Sequence, residues 1–172
     1  INAGLGPRCR TYLEALDPLA TRVLVMTSAG GLAPVATVAR TPASLLLSGP
    51  AGGVRAAAAY AVAAGFPDAV TFDMGGTSTD VALVLGGEPQ PAAQREVAGY
   101  PVRLPSVDVH TIGAGGGSIA VVDAGGALLV GPRSAGAAPG PACYGRGGEE
   151  ATVTDADLVV VQALEQERVR LE

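Results

Sequence analysis

Residues 69–85 read AVTFDMGGTSTDVALVL, in which two apolar segments are separated by a short turn rich in glycine and hydroxyl side chains. The segments Ala69–Asp73 and Thr79–Leu85 are predicted to be β-strands. Between them, Gly75 and Gly76 lack Cβ atoms, so the backbone can approach an anion closely and adopt left-handed dihedral angles. Successive N–H groups in such a turn converge into an anion-binding concavity. The turn therefore suits phosphate, although a plain hairpin connection would use the same residue types.

Hydroxyl and carboxylate side chains complete the predicted phosphate site. Further donors are the hydroxyls of Thr77, Ser78 and Thr79. Asp73 and Asp80 flank the turn and would repel a bare phosphate, so they make chemical sense only together with a cation. Mg²⁺, which proteins hold through carboxylates and waters, is the cation that fits. The stretch thus predicts a site for phosphate with Mg²⁺.

An alanine-rich stretch precedes this hairpin. Residues 51–64 consist mainly of alanine, and two glycines stand near the start. Alanine is the best helix former, and Gly65 lies where the residue just past a helix C-terminus is expected. The sequence therefore predicts a helix whose small side chains let it pack very close to a neighbouring backbone.

Asp108 and His110 lie in a predicted extended segment, Ser106–Ile112, that ends at a cluster of glycines. Because side chains alternate along a strand, both residues are expected on one face, where they could bind a divalent metal together or polarise a substrate. Two ligands do not fill a metal site, so further ligands would come from other parts of the protein. A structural role for the histidine is the alternative.

The glycine segment, Gly113–Gly117, is predicted to be a second nucleotide contact, because its backbone donors would be exposed and a serine hydroxyl follows. The residues assigned to this contact are Gly115, Gly116, Gly117 and Ser118. The alternative is a tight glycine bend between two strands. A dinucleotide-binding loop is excluded because no helical pattern follows these glycines.

The remainder of the chain is predicted to contain a hairpin, a loop and a helix. Residues 118–123 and 127–130 form the predicted hairpin around two glycines. Residues 131–148 are rich in glycine and proline and form a long irregular loop of the kind that is usually functional or docks on another surface. Thr154 or Asp155 is predicted to cap the final helix. Cys143 would need a base and a lowered pKa to act as a nucleophile, so a structural role is predicted for it.

Composition excludes several classes of protein. The formal charge of −5 and the aromatic content of 3% argue against binding to nucleic acid. The chain contains no lysine, which excludes a Walker-type P-loop and Schiff-base chemistry. No apolar stretch approaches the ~20 residues that cross a bilayer, so no membrane partner is expected. Cys9 and Cys143 are expected to be reduced thiols in a cytoplasmic protein.

The order and spacing of these motifs resemble a known superfamily. Residues 48–60, followed by residues 70–77, are similar to the alanine-rich crossing helix and the second phosphate-binding hairpin of the actin, sugar-kinase and heat-shock chaperone ATPases. The implied fold class is α/β: a partial ribonuclease-H-like, or actin-like, ATPase lobe with a mixed sheet and flanking helices.

A closer resemblance is to the hydantoinase A/5-oxoprolinase family. It rests on VDVHTIGAGGGSI at 107–119, GPRSAGAAPGPACYGRGG at 131–148, TVTDADL at 152–158 and MTSAGGL at 26–32. The resemblance implies that residues 1–172 are the central segment of such a domain. The crossing helix would occupy about 50–64, the phosphate hairpin about 69–85, and a glycine-rich site region about 106–148.

This resemblance implies part of an ATP-dependent amidohydrolase that opens cyclic amides, of the hydantoin or 5-oxoproline type, by activating the amide carbonyl. Asp73 would hold Mg²⁺ through water, Gly75–Thr77 would cradle the β- and γ-phosphates of ATP, and Asp80 would steady the turn or the metal. The implied catalytic and metal-binding residues are Asp73, Asp108 and His110, with a second divalent metal near His110.

Members of this family are several times longer and carry another phosphate-binding turn near their N-terminus, which has no counterpart before residue 73. The expected partners are therefore the remainder of the enzyme, a second hydantoinase-type subunit and a small cyclic amide. Two alternatives stay open: a subunit of an ATP-dependent ketone carboxylase that uses the same activation, and a non-catalytic actin-like module that binds nucleotide and switches partners.

Overall fold

The computed structural model describes residues 2–92, 94–97 and 99–171. The chain forms two compact units. Ile1–Thr71 and Val81–His110 make the first unit, and Phe72–Asp80 and Thr111–Glu172 make the second. The two arms of the predicted phosphate hairpin thus begin in the first unit, whereas its tip belongs to the second.

Helices account for about a third of the described residues. They are α1 (Asn2–Leu16), α2 (Val35–Arg40), α3 (Ser48–Ala63) and α4 (Val153–Leu171), with short 3₁₀ turns at Asp17–Leu19, Pro42–Leu45 and Ala142–Tyr144. The predicted alanine-rich helix is α3, which begins slightly earlier than expected because Pro50 is tolerated in the first turn of a helix. Within the described residues, the helices are all too short or too polar to span a bilayer.

The strands are mostly short. They are β1 (Leu24–Met26), β2 (Leu32–Pro34), β3 (Ala69–Met74), β4 (Thr79–Leu85), β5 (Glu88–Pro89), β6 (Pro91–Ala92), β7 (Arg95–Val97), β8 (Tyr100–Val102), β9 (Ser106–Val107), β10 (Val109–Ile112), β11 (Ser118–Val122) and β12 (Leu128–Ser134). The two strands predicted on either side of the glycine-rich turn are confirmed as β3 and β4.

The strands pair into several small sheets. In the largest, β4 lies between β3 and β10, and β5 also pairs with β4. The other sheets are the antiparallel pairs β1–β2, β6–β9, β7–β8 and β11–β12. The chain is therefore a mixed α/β protein with helices and several antiparallel sheets.

The core of the first unit lies between α3 and the strands. Its buried members are Ala51, Val54 and Ala58 of α3, Ala82 and Val84 of β4, and Val107 and Val109 of β9 and β10. The helix contributes two alanines and one valine, so its backbone can approach the sheet as the alanine-rich sequence predicted. Burial of these small apolar groups stabilises the unit by roughly 25 cal/mol for each Å² removed from water.

The second unit contains the predicted hairpin. β11 and β12 are antiparallel, with Val122 opposite Leu128, and the register shifts near the start of β11. In the connecting loop, Oδ1 of Asp123 accepts hydrogen bonds from the N–H groups of Gly125 and Ala127 at 2.8 and 2.9 Å. β11 starts directly after the glycine segment, which therefore connects β10 to the β11–β12 hairpin.

One predicted strand is interrupted. The segment expected to be extended over Ser106–Ile112 is divided into β9 and β10 at Asp108. The N–H of Asp108 donates to the carbonyl of Gln90 at 2.7 Å. Asp108 thus bonds to Gln90, which directly precedes β6, whereas the residues after Asp108 form β10 and pair with β4.

Candidate functional site

The hairpin turn, Gly75–Ser78, connects β3 to β4 in the second unit. It is closed by a hydrogen bond from the N–H of Gly75 to the carbonyl of Ser78 at 2.8 Å. Among the described residues, the next three N–H groups along the turn, those of Gly76, Thr77 and Ser78, have no acceptor. We refer to these three groups as the turn amides. Consecutive free amides in a tight turn form the kind of concavity that binds phosphate.

Two carboxylates flank the hairpin turn. The Gly75–Ser78 bond closes a hairpin turn between β3 and β4, and antiparallel pairing continued outward from it would place Asp73 opposite Asp80. Like charges directly opposite each other destabilise a sheet unless a cation lies between or beside them. Asp73 is exposed, and Oδ1 of Asp80 accepts a hydrogen bond from Oγ1 of Thr111 at 2.6 Å. One or two carboxylates with waters and substrate phosphates is the usual environment of Mg²⁺, so these residues fit that ion.

The glycine segment docks on the hairpin turn through its backbone. The N–H of Gly116 donates to the carbonyl of Gly75 at 2.9 Å, and the N–H of Gly117 donates to the carbonyl of Gly76 at 2.7 Å. The N–H of Gly115 donates to Oγ of Ser118 at 2.9 Å. We expected exposed donors here, and the structure differs because these amides bond within the protein. Nucleotide contact by residues 115–118 stays a prediction.

This docking explains why residues 115 and 117 are glycines. A Cβ atom at Gly115 would lie 2.5 Å from the carbonyl oxygen of Gly75 and 2.8 Å from the nitrogens of Thr77 and Ser78. A Cβ atom at Gly117 would lie 2.8 Å from the carbonyl oxygen of Gly76. Contacts this short do not occur for real side chains. The two backbones can approach this closely only because neither residue carries a Cβ.

The hydroxyls predicted to bind phosphate differ in their surroundings. Thr79 is buried, and its Oγ1 donates to the carbonyl of Ala114 at 2.6 Å, so this hydroxyl bonds within the protein. Thr77 is exposed and Ser78 is half-buried. Thr77 and Ser78 therefore remain the hydroxyls best placed to contact a ligand at the turn.

Asp108 and His110 belong to the first unit, whereas Asp73 and Asp80 belong to the second. Both Asp108 and His110 are exposed, and the valine between them is buried. This alternation agrees with a common face for the two polar side chains. No group of three or more His, Cys, Asp or Glu side chains that could hold a metal occurs in the part of the chain that the structure describes. A metal at this pair stays a prediction.

The start of α4 is organised differently from the prediction, which named Thr154 or Asp155 as the cap. α4 begins at Val153, and the residue before it, Thr152, exchanges hydrogen bonds with Asp155: Oδ2 of Asp155 accepts from the N–H and Oγ1 of Thr152 at 2.8 and 2.7 Å. This is a capping box with aspartate in the acidic position. The Thr-x-x-Asp spacing in the sequence was the signal that would have identified it.

Thr154 has a separate role that the sequence did not reveal. Its N–H and its Oγ1 both donate to the carbonyl of Gly116, each at 2.8 Å. The first turn of α4 is thereby joined to the glycine segment, and the glycine segment to the hairpin turn.

Cys143 also contacts the start of α4. Its N–H donates to Oδ1 of Asp155 at 2.7 Å. A hydrogen bond between the thiol and the Asp155 carboxylate, followed by desolvation, raises the pKa of Cys143 above its ordinary value. A thiol held in its protonated form is a poor nucleophile, which agrees with the predicted structural role.

An open cavity lies in the second unit between the end of β12 and the loop that follows it. The cavity has a volume of about 800 Å³ and is lined by residues that include Arg133, Ser134, Pro139, Gly148 and Glu150. Arg133 and Glu150 form an ion pair across it at 2.8 Å. The volume is in the range of sites for small molecules.

Comparisons with known proteins agree with one another. The model of the hydantoinase/oxoprolinase family matches residues 1–168. Caprolactamase subunit alpha of Pseudomonas jessenii is 42% identical over 166 residues, which are 93% of this chain and 24% of that protein. 5-Oxoprolinase 1 of Arabidopsis thaliana is 42% identical over 168 residues, covering 93% of this chain and 13% of that protein. The chain thus spans a quarter or less of these two relatives.

Solved structures are also similar. The crystal structure of the ATP-dependent caprolactamase from Pseudomonas jessenii matches with a TM-score of 0.72 and 42% identity, over 90% of this chain and 23% of that one. The nucleotide-free structure of an acetone carboxylase, from a study of ATP-dependent acetone carboxylation, matches with a TM-score of 0.64 and 31% identity, over 87% of this chain and 22% of that one.

Proposed function

The chain belongs to the hydantoinase/oxoprolinase family, and on that premise we propose that it is part of an ATP-dependent enzyme that opens a cyclic amide. The observation that carries this proposal is the hairpin turn, where Asp73 and Asp80 flank three amides that have no acceptor among the described residues. The amides suit the phosphates of ATP, and the carboxylates suit Mg²⁺. The expected partial actin-like lobe is part of the same proposal.

The proposed chemistry activates a poor electrophile. The amide oxygen attacks the γ-phosphorus of ATP, ADP departs, and loss of the amide proton leaves an O-phosphorylated imidate. Water adds to the activated carbon, and the C–N bond then breaks to give an acyl phosphate and an amine. A second water converts the acyl phosphate to a carboxylate and inorganic phosphate. The sum is one lactam, one ATP and two waters converted to one amino acid, ADP and phosphate.

The residues of this chain would contribute mainly positioning and charge. The turn amides would donate to phosphate oxygens, where fixed dipoles stabilise developing negative charge. Asp73 and Asp80 would hold Mg²⁺. When bound, this ion would neutralise part of the negative charge of the phosphates. Asp108 and His110 are proposed to contact the substrate or a second metal. Phosphoryl transfer depends chiefly on such placement, because little other covalent chemistry is required of the protein.

The substitution Asp73→Ala in the full-length protein tests the proposed function. Release of ADP that depends on added lactam should fall by at least ~100-fold, the usual cost of removing one strong electrostatic element from a site. The assay measures ADP with hydantoin, 5-oxoproline and caprolactam as substrates. Asp157→Ala, which removes an exposed carboxylate from α4, is the matched control and should leave turnover unchanged. Unchanged ATP-dependent ring opening in Asp73→Ala would rule out this role of the hairpin.

Carboxylation of a ketone is the second candidate, favoured by the similarity to an acetone carboxylase. The same phosphoryl transfer would there activate a different acceptor. The two reactions are separated by supplying either lactam alone or acetone with bicarbonate and measuring ADP. We expect the lactam to stimulate ADP release, since the chain is 42% identical to the caprolactamase and 31% identical to the carboxylase.

The remainder of the enzyme is proposed to supply the other parts of the site. Since the matched segment is 24% of the caprolactamase subunit, most of a protein of that size would lie outside it. That relative is named as a subunit alpha, which supports a proposal that this protein too works with a second subunit.

A further inference from the structure

Two chains of hydrogen bonds lead to the turn amides. The first chain begins at Thr154, whose N–H and Oγ1 donate to the carbonyl of Gly116 at 2.8 Å each. The same peptide group carries the N–H of Gly117, which donates to the carbonyl of Gly76 at 2.7 Å. The carbonyl of Gly76 and the N–H of Thr77 belong to one peptide group. Thr154 is therefore joined through two peptide groups to a free amide of the hairpin turn.

The second chain begins in the long loop. The N–H of Ala135 donates to the carbonyl of Gly117 at 2.8 Å, and the N–H of Ser118 donates to the carbonyl of Gly115 at 2.9 Å. The N–H of Gly116 then donates to the carbonyl of Gly75 at 2.9 Å, and the peptide group of Gly75 ends in the N–H of Gly76. Each peptide group in this chain accepts a hydrogen bond at its carbonyl and donates the next one from its N–H.

Such chains strengthen the last donor. A hydrogen bond accepted by a carbonyl polarises the N–H of the same peptide group, and the next hydrogen bond in the chain is strengthened by about 10–30% in condensed-phase estimates. Thr154 also lies in the first turn of α4, where the helix dipole is positive. The amides of Gly76 and Thr77 are thus held in place before a ligand arrives and are polarised toward it.

We propose that Thr154 is a positioning residue for nucleotide phosphate, acting through the peptide groups of Gly116 and Gly76 on the amide of Thr77. This inference rests on the proposed function, because it assumes that the turn amides contact a nucleotide triphosphate. Gly116 is suited to this arrangement because a Cβ atom there would lie 2.6 Å from Oγ1 of Thr154.

The test compares Thr154→Val with Thr154→Ser in the full-length protein. Valine keeps the shape and the N–H but removes the hydroxyl donor, whereas serine keeps both donors. The dissociation constants of Mg-ATP and of adenosine are measured by calorimetry for each variant. We expect Thr154→Val to weaken Mg-ATP binding by about two- to threefold, less than the loss of a whole hydrogen bond to the ligand, because each bond of the chain changes the next by only about 10–30%; adenosine binding should be unchanged. Thr154→Ser should restore the wild-type ratio of the two constants.

Thr152→Val is the matched control, because its hydroxyl lies two residues away and bonds Asp155 instead of Gly116. It should lower the thermal midpoint of unfolding without changing the ratio of the two dissociation constants.

Should Thr154→Val fail to fold, Thr154→Ala is measured in the same way. A ratio that does not change in the hydroxyl-free variant, or that serine does not restore, overturns the inference. If the wild-type protein itself binds no Mg-ATP, the proposed function and this inference fail together. If wild type binds and turns over ATP while the ratio stays fixed, the inference alone fails.

Discussion

Gly115 is the residue at which the packing of the site is most restrictive. Its Cα lies against the hairpin turn, and a Cβ there would come within 2.8 Å of two turn amides as well as 2.5 Å of the Gly75 carbonyl oxygen. The glycine therefore serves two purposes. It lets the two backbones bond to each other, and it keeps a side chain away from the amides that are proposed to bind phosphate.

We predict that Gly115→Ala will both destabilise the protein and weaken Mg-ATP binding. Forcing one methyl group into backbone typically costs about 1–3 kcal/mol of folding free energy, and the methyl group would also lie beside the turn amides. Urea unfolding and calorimetric titration with Mg-ATP measure the two effects. Gly113→Ala is the control, because a Cβ there meets nothing within 4 Å. Equal urea midpoints and equal Mg-ATP affinities in the two variants would show that residue 115 does not make this close contact.

At the scale of elements, the start of α4 is held by Asp155. Hydrogen bonds from Cys143, through its side chain and then its backbone, and from Thr152 hold the pKa of Asp155 well below its usual range. A carboxyl whose pKa is lower in the folded state than in the unfolded state contributes stability above its unfolded pKa of about 4. That contribution is lost as the pH falls from this value toward the folded pKa.

We therefore predict that Asp155→Asn will lower the urea midpoint at pH 7 and that the difference from wild type will shrink below about pH 4. The asparagine keeps one acceptor oxygen but has no charge to stabilise. Urea midpoints between pH 7 and pH 2.5 provide the measurement, and Asp157→Asn, on the exposed side of the same helix, provides the control. A difference that stays constant with pH would contradict the assigned pKa shift.

At the scale of the whole molecule, large apolar side chains remain exposed in both units. In α4 the exposed residues include Leu158, Val159, Val160, Val161 and Leu164. Four consecutive exposed apolar residues are unusual on the surface of a monomeric protein and are typical of a surface that contacts another part of a protein. This agrees with the proposal that the chain functions together with further polypeptide.

We predict that the 172-residue chain, prepared by itself, will self-associate through this surface. The double variant Val159→Lys/Val160→Lys should reduce association while changing folding free energy by only about 0.5 kcal/mol, as expected for surface positions. Sedimentation velocity measures the association, and Gln162→Lys is the control for added charge on the same helix. A wild-type chain that sediments as a monomer at all concentrations would contradict this prediction.

The elements around the site follow from local patterns in the sequence. Glycine, alanine and alternating apolar residues act over short distances, so β3, β4, the alanine-rich helix and β11 were predicted close to their observed bounds. The prediction for β12 was too short, because this strand continues to Ser134, four residues into the segment that was predicted to be a loop. The family was also evident, because its long glycine-rich motifs are read without knowledge of the fold. The break of the strand at Asp108 was not predicted, because it depends on pairing with the distant residue Gln90.

The hydrogen-bond partners of the glycines depend on contacts between distant parts of the chain. The sequence indicated that residues 113–117 would offer free amides, but a local pattern does not specify which distant carbonyl an amide will meet. In the folded chain Gly116 and Gly117 donate to the hairpin turn, while the turn amides of residues 76–78 meet no acceptor in the described part of the chain. Thr154 could not have been linked to that turn from the sequence, since 77 positions separate it from Thr77 and the link passes through backbone groups that every residue carries.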